Sequence, residues 1–150
     1  MKVLSVHSQG LRGKDKRNDV INYLNNLQAG IICLQDTHWI DSDLLSIAQI
    51  WNGDCYINGN KTNPRGVAIL MKSNFEYTVV STFSDDLGNL IWVNLALGEF
   101  SLKLIYIYGP NIDCPGFYIK LKELIPTCEQ DYLLICGDFN LALDPSLDKK

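Results

Sequence analysis

Apolar and polar positions change rhythm several times along the chain, and each change marks an element. "KVLSVHS" (2–8) alternates apolar with polar side chains and predicts a first strand. From Lys16 to Gln28 the apolar positions Val20, Ile21, Leu24 and Leu27 recur at helical spacing, and Ala29-Gly30 offers a glycine C-cap. "IICLQD" (31–36) begins as an unbroken apolar run, the pattern of a buried strand. Asp41 and Ser42 are good N-cap residues ahead of Leu44, Leu45, Ile47 and Ala48, which predicts a short helix. Strands follow near 54–58, 66–72, 76–83, 89–97 and 101–108, separated by Gly, Asn, Asp and Pro turns, and read as a β-meander. A helix from about Cys114 to Leu124 admits Pro115 in its first turn and is stopped by Pro126 before the strand "YLLIC" (132–136). The order βαβα, several strands, then αβ predicts one domain with an α/β layered sandwich.

Composition agrees with a packed core: 47% of residues are hydrophobic and 20% charged, in a chain long enough to bury a substantial interior. No stretch approaches the roughly 18 to 20 apolar residues of a membrane span, and "MKVLSVHSQG" carries no leader pattern, so a soluble, intracellular protein, nuclear or cytoplasmic and not secreted, is expected. The glycosylation pattern "NKT" at Asn60 is then a chance match. Five widely spaced cysteines (Cys33, Cys55, Cys114, Cys128, Cys136) contain no C-x-x-C pair and read as reduced packing residues. The formal net charge of −4 runs against general attraction to nucleic acid. The local cluster "RGKDKR" (12–17) puts Arg12, Lys14, Lys16 and Arg17 either against a phosphate backbone or on the start of a solvated helix.

Three apolar strands hand the chain to polar groups at their carboxyl ends: Gln35-Asp36, Tyr108 followed by "GPN", and "GDFN" after "LLIC". Clefts in layered α/β folds form at such ends. Asp138 and Asn140 lie two residues apart and point the same way if the strand persists, offering a carboxylate and an amide to one cleft. Asp36 would add a second hard oxygen donor of the kind Mg²⁺ prefers, parts that could support metal-assisted phosphoester cleavage. The plainer alternatives stand beside this. G-D-x-N also reads as a turn, Tyr108 as a half-buried aromatic with a wet hydroxyl, and His7 and His38 as ordinary surface or packing residues.

"CLQDTHW" (33–39), "RGVAILM" (65–71), "IYIYGPN" (105–111) and "CGDFNLALDPSLDKK" (136–150) stand in the order and approximate spacing of the endonuclease/exonuclease/phosphatase family. They most resemble the apurinic-type endonuclease domain at the front of LINE (non-LTR) retrotransposon polyproteins, where C-L-Q-E-T-H, R-G-V-A-I-L, I-Y-G-P-N and G-D-F-N occupy those places. The resemblance implies a four-layered α/β sandwich of two mixed β-sheets flanked by helices. It also implies phosphodiester or phosphomonoester cleavage with Mg²⁺ or Mn²⁺, DNA as the partner, and a reverse transcriptase domain downstream. By position, Asp138 resembles the aspartate that orients the attacking water, Asn140 the amide that holds the scissile phosphate, and Tyr108 the tyrosine whose hydroxyl supports its charge. Asp36 falls where the family has its metal-binding glutamate, and Asn111 and His38 stand behind these groups.

Three departures shape the expectation. Asp36 is one methylene shorter than glutamate, which draws the carboxylate back by about 1.5 Å. His7 in "SVHSQGL" takes the place of the family's asparagine, and an imidazole cannot offer the oxygen and N–H₂ of an amide together. The chain stops at Lys150, before the family's further aspartate and Ser-Asp-His segment. The expected molecule is thus the amino-terminal portion of a DNA-nicking endonuclease domain, lacking its C-terminal third, with weak or absent activity and apolar surface left uncovered. The alternatives are a catalytically dead remnant that only binds nucleic acid or a partner, and a phosphomonoesterase of the same family.

Overall fold

Among the described residues eight strands pair into two mixed sheets of four. The structure, a computed structural model, describes residues 1–62, 65–125 and 131–141; Pro126, Cys128 and the segment "ALDPSLDKK" singled out in the sequence lie outside the described residues. In chain order the elements are β1 (Val3–His7), α1 (Lys14–Asn26), β2 (Ile31–Gln35), a 3₁₀ turn (Asp41–Asp43), α2 (Leu44–Ala48), β3 (Gly53–Asn58), β4 (Val67–Lys72), β5 (Thr78–Ser84), β6 (Leu90–Leu97), β7 (Phe100–Tyr108), α3 (Pro115–Leu124) and β8 (Tyr132–Asp138). The first sheet has the order β1-β2-β4-β3 and the second β5-β6-β7-β8. In each, one edge pair is parallel, β1 with β2 and β7 with β8, and the remaining pairs are antiparallel. Parallel neighbours need a crossover, and α1 and α3 supply the two crossovers.

Three apolar clusters place the layers. Cys33, Val67, Ile69 and Met71 of the first sheet interdigitate with Ile91, Val93, Leu104 and Tyr106 of the second, forming the core between the sheets. The outer face of the first sheet (Ile32, Leu34, Ala68, Leu70) packs on Ile21 and Leu24 of α1 and Ile47 of α2. The outer face of the second (Leu90, Ile105, Ile107) packs on Leu121 of α3. Strands β2 and β4 are therefore covered on both faces and buried along their whole length, which is why they read as unbroken apolar runs. Each fully buried Leu or Ile contributes roughly 1.5–3 kcal/mol relative to an exposed one.

The predicted sandwich is the one observed, with corrections in detail. The five successive strands are not one meander: β3 and β4 form a hairpin in the first sheet, and only β5-β6-β7 meander in the second. Gly30 is not the cap of α1; the helix ends at Asn26, Leu27 is already extended, and the Gly30 N–H instead bonds the Lys2 carbonyl at 3.0 Å. Gly30 is small because the Phe75 ring would lie 3.1 Å from any Cβ there. Neither Asp41 nor Ser42 caps the second helical segment, since the Asp43 carboxylate reaches back to the Ile40 N–H at 3.0 Å. Among the described residues strand β8 pairs only with β7 and lies half-buried at the sheet edge. Tyr132, Leu133, Phe139 and Leu141 are exposed along it and just beyond it. Cys33, Cys55, Cys114 and Cys136 are free thiols, and burial pushes that of Cys55 up to about 12. Among the described residues no helix is long and apolar enough to cross a membrane.

Candidate active site

The carboxyl ends of the two parallel pairs face the same cleft. In the first sheet His7 is in register with Gln35, and Asp36 follows directly; in the second Tyr108 is in register with Asp138. The His7 and Tyr108 rings meet edge to face with centroids 5.9 Å apart, bridging the sheets at the mouth of the cleft. One layer deeper the buried Tyr106 hydroxyl hydrogen-bonds the Gln35 Oε1 and lies 2.9 Å from the Ser5 Oγ, a polar staple beneath the site. Burial pushes the Tyr106 hydroxyl well above the ordinary tyrosine range, so it stays neutral. Gln35, which the sequence offered as a cleft residue, thus serves this staple.

Backbone strain concentrates in the same loops. Among the described residues the non-glycine positions with positive φ are Gln9 (53°), Asp36 (58°), His38 (59°) and Asn140 (50°), all just past the ends of β1, β2 or β8. Such conformations cost of order 1–3 kcal/mol each and persist where surrounding contacts over-determine them. Here the Asp36 carbonyl accepts the Gly10 N–H at 2.7 Å and the Ser8 hydroxyl at 3.0 Å, and the Thr37 carbonyl accepts the Leu11 N–H at 2.8 Å. Arg12 Nε donates to the His38 carbonyl at 3.0 Å, and Lys16 Nζ donates to the Gln9 carbonyl at 2.6 Å and the Ser8 carbonyl at 3.2 Å. Two members of the basic cluster therefore brace the cleft loops, while Arg17 pairs with Asp43 at 3.5 Å. The sequence reading had only a phosphate contact or a solvated face for them.

Side chains complete the arrangement. His38 Nε2 lies 3.0 Å from Asp36 Oδ1, and its ring packs so tightly over Gly10 that a Cβ there would sit 3.1 Å from Nδ1. The Tyr108 hydroxyl is held above its ordinary range chiefly by burial, then by the Asp36 carboxylate; the Arg65 guanidinium opposes this and Asp138 adds to it. These three charges, from three chain segments, act on one hydroxyl. The Arg65 guanidinium lies 4.0 Å from the centroid of the Tyr108 ring. Asn140 does not continue the alternation of β8: its left-handed backbone turns so that its N–H donates to Asp138 Oδ1 at 2.9 Å and its Nδ2 to the Gly109 carbonyl at 2.6 Å. G-D-x-N is consequently an Asx turn and a cleft-facing pair at once. Gly109 tolerates no side chain, because a Cβ would lie 2.2 Å from the Phe139 carbonyl oxygen. Tyr118 of α3 donates to that same carbonyl, fixing the far wall.

Of the residues singled out from sequence, His7, Asp36, His38, Tyr108, Asp138 and Asn140 are brought together, while Asn111 is exposed in the loop leading to α3. Arg65 and Tyr118 were not singled out. Arg65 heads a quoted motif, a signal that could have found it; Tyr118 gives none. Among the described residues no group of three or more His, Cys, Asp or Glu side chains is spaced to hold a metal ion by itself.

The fold recurs in the catalytic domain of Xenopus laevis APE2, with a TM-score of 0.74 and 23% identity over 97% of this chain and 60% of that one. D. rerio TDP2 in complex with a single-strand DNA product superposes with a TM-score of 0.69 at 13% identity, covering 97% of this chain and 62% of that one. In sequence, a Transposon TX1 uncharacterized 149 kDa protein of Xenopus laevis is 24% identical over 147 residues, which are 96% of this chain and 11% of that protein. The Endonuclease/Exonuclease/phosphatase family model matches residues 3–148, so the chain belongs to that family.

Proposed function

We propose that this chain is part of a divalent-metal-dependent DNA phosphodiesterase that nicks one strand, of the type carried by LINE retrotransposons alongside a reverse transcriptase. The observation that carries this reading is the convergence on Tyr108 of both sheets: the His7 ring meets its ring at 5.9 Å, the Arg65 guanidinium lies 4.0 Å from its ring centroid, and Asp138 stands beside it in register. The likeness to the transposon protein favours DNA as the substrate over small phosphomonoesters.

The donor chemistry fits Mg²⁺ or Mn²⁺. Such ions take one or two carboxylates and complete their shell with water and substrate phosphate, so a site short of three protein ligands is no obstacle. Asp36 is the residue that would hold the ion, and the His38 contact engages only its Oδ1. When bound, the ion supplies charge that polarises the phosphate and lowers the pKa of water. In this reading Asp138 orients and deprotonates the attacking water. Asn140 keeps one amide N–H on the Gly109 carbonyl and donates the other to a phosphate oxygen. Tyr108, protonated at neutral pH, donates its hydroxyl to the developing charge. His7 stands beside Tyr108 where an amide would otherwise help to hold the phosphate.

The test uses supercoiled plasmid with Mg²⁺ or Mn²⁺. Slow conversion to the open circle is expected, abolished by Asp138→Asn or chelation. Restoring the family side chains with Asp36→Glu and His7→Asn together should raise the rate by about 10-fold or more. No nicking by either protein would sink the nuclease reading. A second reading, a remnant that binds nucleic acid without cutting, draws on the substitutions at Asp36 and His7. It predicts salt-dependent DNA binding that Asp138→Asn leaves intact, with no cleavage even after both restorations.

A further inference from the structure

Arg65 spans the two halves of the cleft. Its backbone carbonyl accepts the His38 N–H at 2.6 Å, and the neighbouring Gly66 carbonyl accepts the Thr37 N–H at 3.2 Å, which ties the entry of β4 to the loop of Asp36. The side chain then leaves the first sheet for the second. Its guanidinium stacks 4.0 Å from the Tyr108 ring centroid, and Nη2 donates to the Tyr108 carbonyl at 3.2 Å and to the Gly109 carbonyl. The Gly109 carbonyl is the one that also receives the Asn140 amide at 2.6 Å. One group therefore touches the ring and main chain of Tyr108 and shares a carbonyl with Asn140, while its own backbone is anchored beside Asp36. Among the described residues the buried Arg65 Nε has no hydrogen-bond partner, and such a donor is retained at a cost of about 1–3 kcal/mol. A lysine could supply the charge but neither the flat face nor the fork.

Resting on the reading of Tyr108 and Asn140 as phosphate-handling groups, we propose that Arg65 is a positioning residue of this site. It is a strut that sets Tyr108 and Asn140 against the Asp36 loop through the shape of its guanidinium, not through charge alone. Nη2 is engaged by two main-chain carbonyls and the guanidinium face by an aromatic ring, so its effect on a phosphodiester passes through Tyr108 and Asn140.

The 150-residue chain labelled with 3-fluorotyrosine presents seven tyrosines to ¹⁹F NMR, and Tyr108→Phe identifies the Tyr108 resonance. In Arg65→Met and in Arg65→Lys that resonance should move or split, while those of Tyr23 on α1 and Tyr77 between β4 and β5 stay in place. A Tyr108 resonance unmoved in both variants overturns the strut, whether the chain cuts DNA or not. Arg65→Lys keeps the stem and charge, and so keeps the test open should Arg65→Met fail to fold. In the nicking assay, Arg65→Lys is expected to lower kcat about 10- to 100-fold with KM changed less than about twofold. Full activity in Arg65→Lys would mean that charge suffices, and overturns the proposal. If no form of the chain nicks DNA, the nuclease reading fails while the fluorine spectra still decide the role of Arg65.

Discussion

A methyl group on Gly137 would lie 2.0 Å from the Ile107 carbonyl oxygen, at a backbone φ of +130° that L side chains rarely adopt. This glycine lets β8 run against β7 up to the point where Asp138 enters the cleft. Gly137→Ala is expected to cost at least about 2 kcal/mol, read as a lowered urea midpoint. Tyr106→Phe strips the staple of its hydroxyl and leaves the Gln35 oxygen buried and unpaired. About 1–3 kcal/mol of stability should disappear in the same measurement. At this scale the chain is partly legible. "GDFN" announces a carboxylate and an amide, but the left-handed turn of Asn140 depends on the Gly109 carbonyl arriving from another strand. Arg65 was hidden for a similar reason: nothing local tells that a cation before a buried strand will cross to the opposite sheet.

Each crossover helix is closed by a lysine from the sheet beneath it. Lys72, at the end of β4, donates to the Asn25 carbonyl at 2.8 Å and to the Leu27 carbonyl, at the end of α1; Lys103 of β7 donates to the Leu124 carbonyl at 3.0 Å, at the end of α3. Positive charge at a helix C-terminus meets the orphan carbonyls and the negative end of the dipole. Lys72→Met should cost about 1–3 kcal/mol, and far-UV dichroism should show α1 fraying first. Between β4 and β5, Tyr77 donates to Asp54 Oδ2 at 2.9 Å, and burial, with that bond, pushes its hydroxyl up to about 12. The folded state favours the protonated hydroxyl, so its contribution is complete below the ordinary value of 10.0 and disappears as pH rises through about 12. Alkaline unfolding of Tyr77→Phe should accordingly be shallower over that window. Helix and strand positions were legible from periodicity to within a few residues. The edge position of β8 was not, because α3 and the opposite sheet cover its faces and leave only one backbone edge open, which an apolar run cannot reveal.

The whole molecule repeats one plan twice, a parallel pair with its crossover helix followed or preceded by antiparallel strands, and sets the two copies face to face. The four sequence motifs gave away the family and the sandwich; three fall at the carboxyl ends of β2, β7 and β8, and the fourth opens β4. Their partition between two sheets was not legible, because a short polar turn joins β4 to β5 much as it joins strands within a sheet, and only the three-dimensional pairing separates them. The cleft lies on the seam, with Asp36 from one sheet and Asp138 from the other. Ile69→Ala, a cavity in the core between the sheets, should therefore cost about 2–5 kcal/mol and weaken any nicking beyond the loss of folded protein.

The tyrosine staple carries that logic into time. Ser5 and Tyr106 are 101 positions apart, and Gln35 is 71 positions from the same hydroxyl. The units β1–α1–β2 and β7–α3–β8 can be drafted from nearby chain, but the staple closes only when both exist, after the entropy of a long loop has been spent. Until that moment each half shows its inner apolar face to water, and on the ribosome the first half must wait for the second. The contacts at the seam are therefore expected to form after those within each parallel pair, and pulse-labelled hydrogen exchange should find them among the last to gain protection.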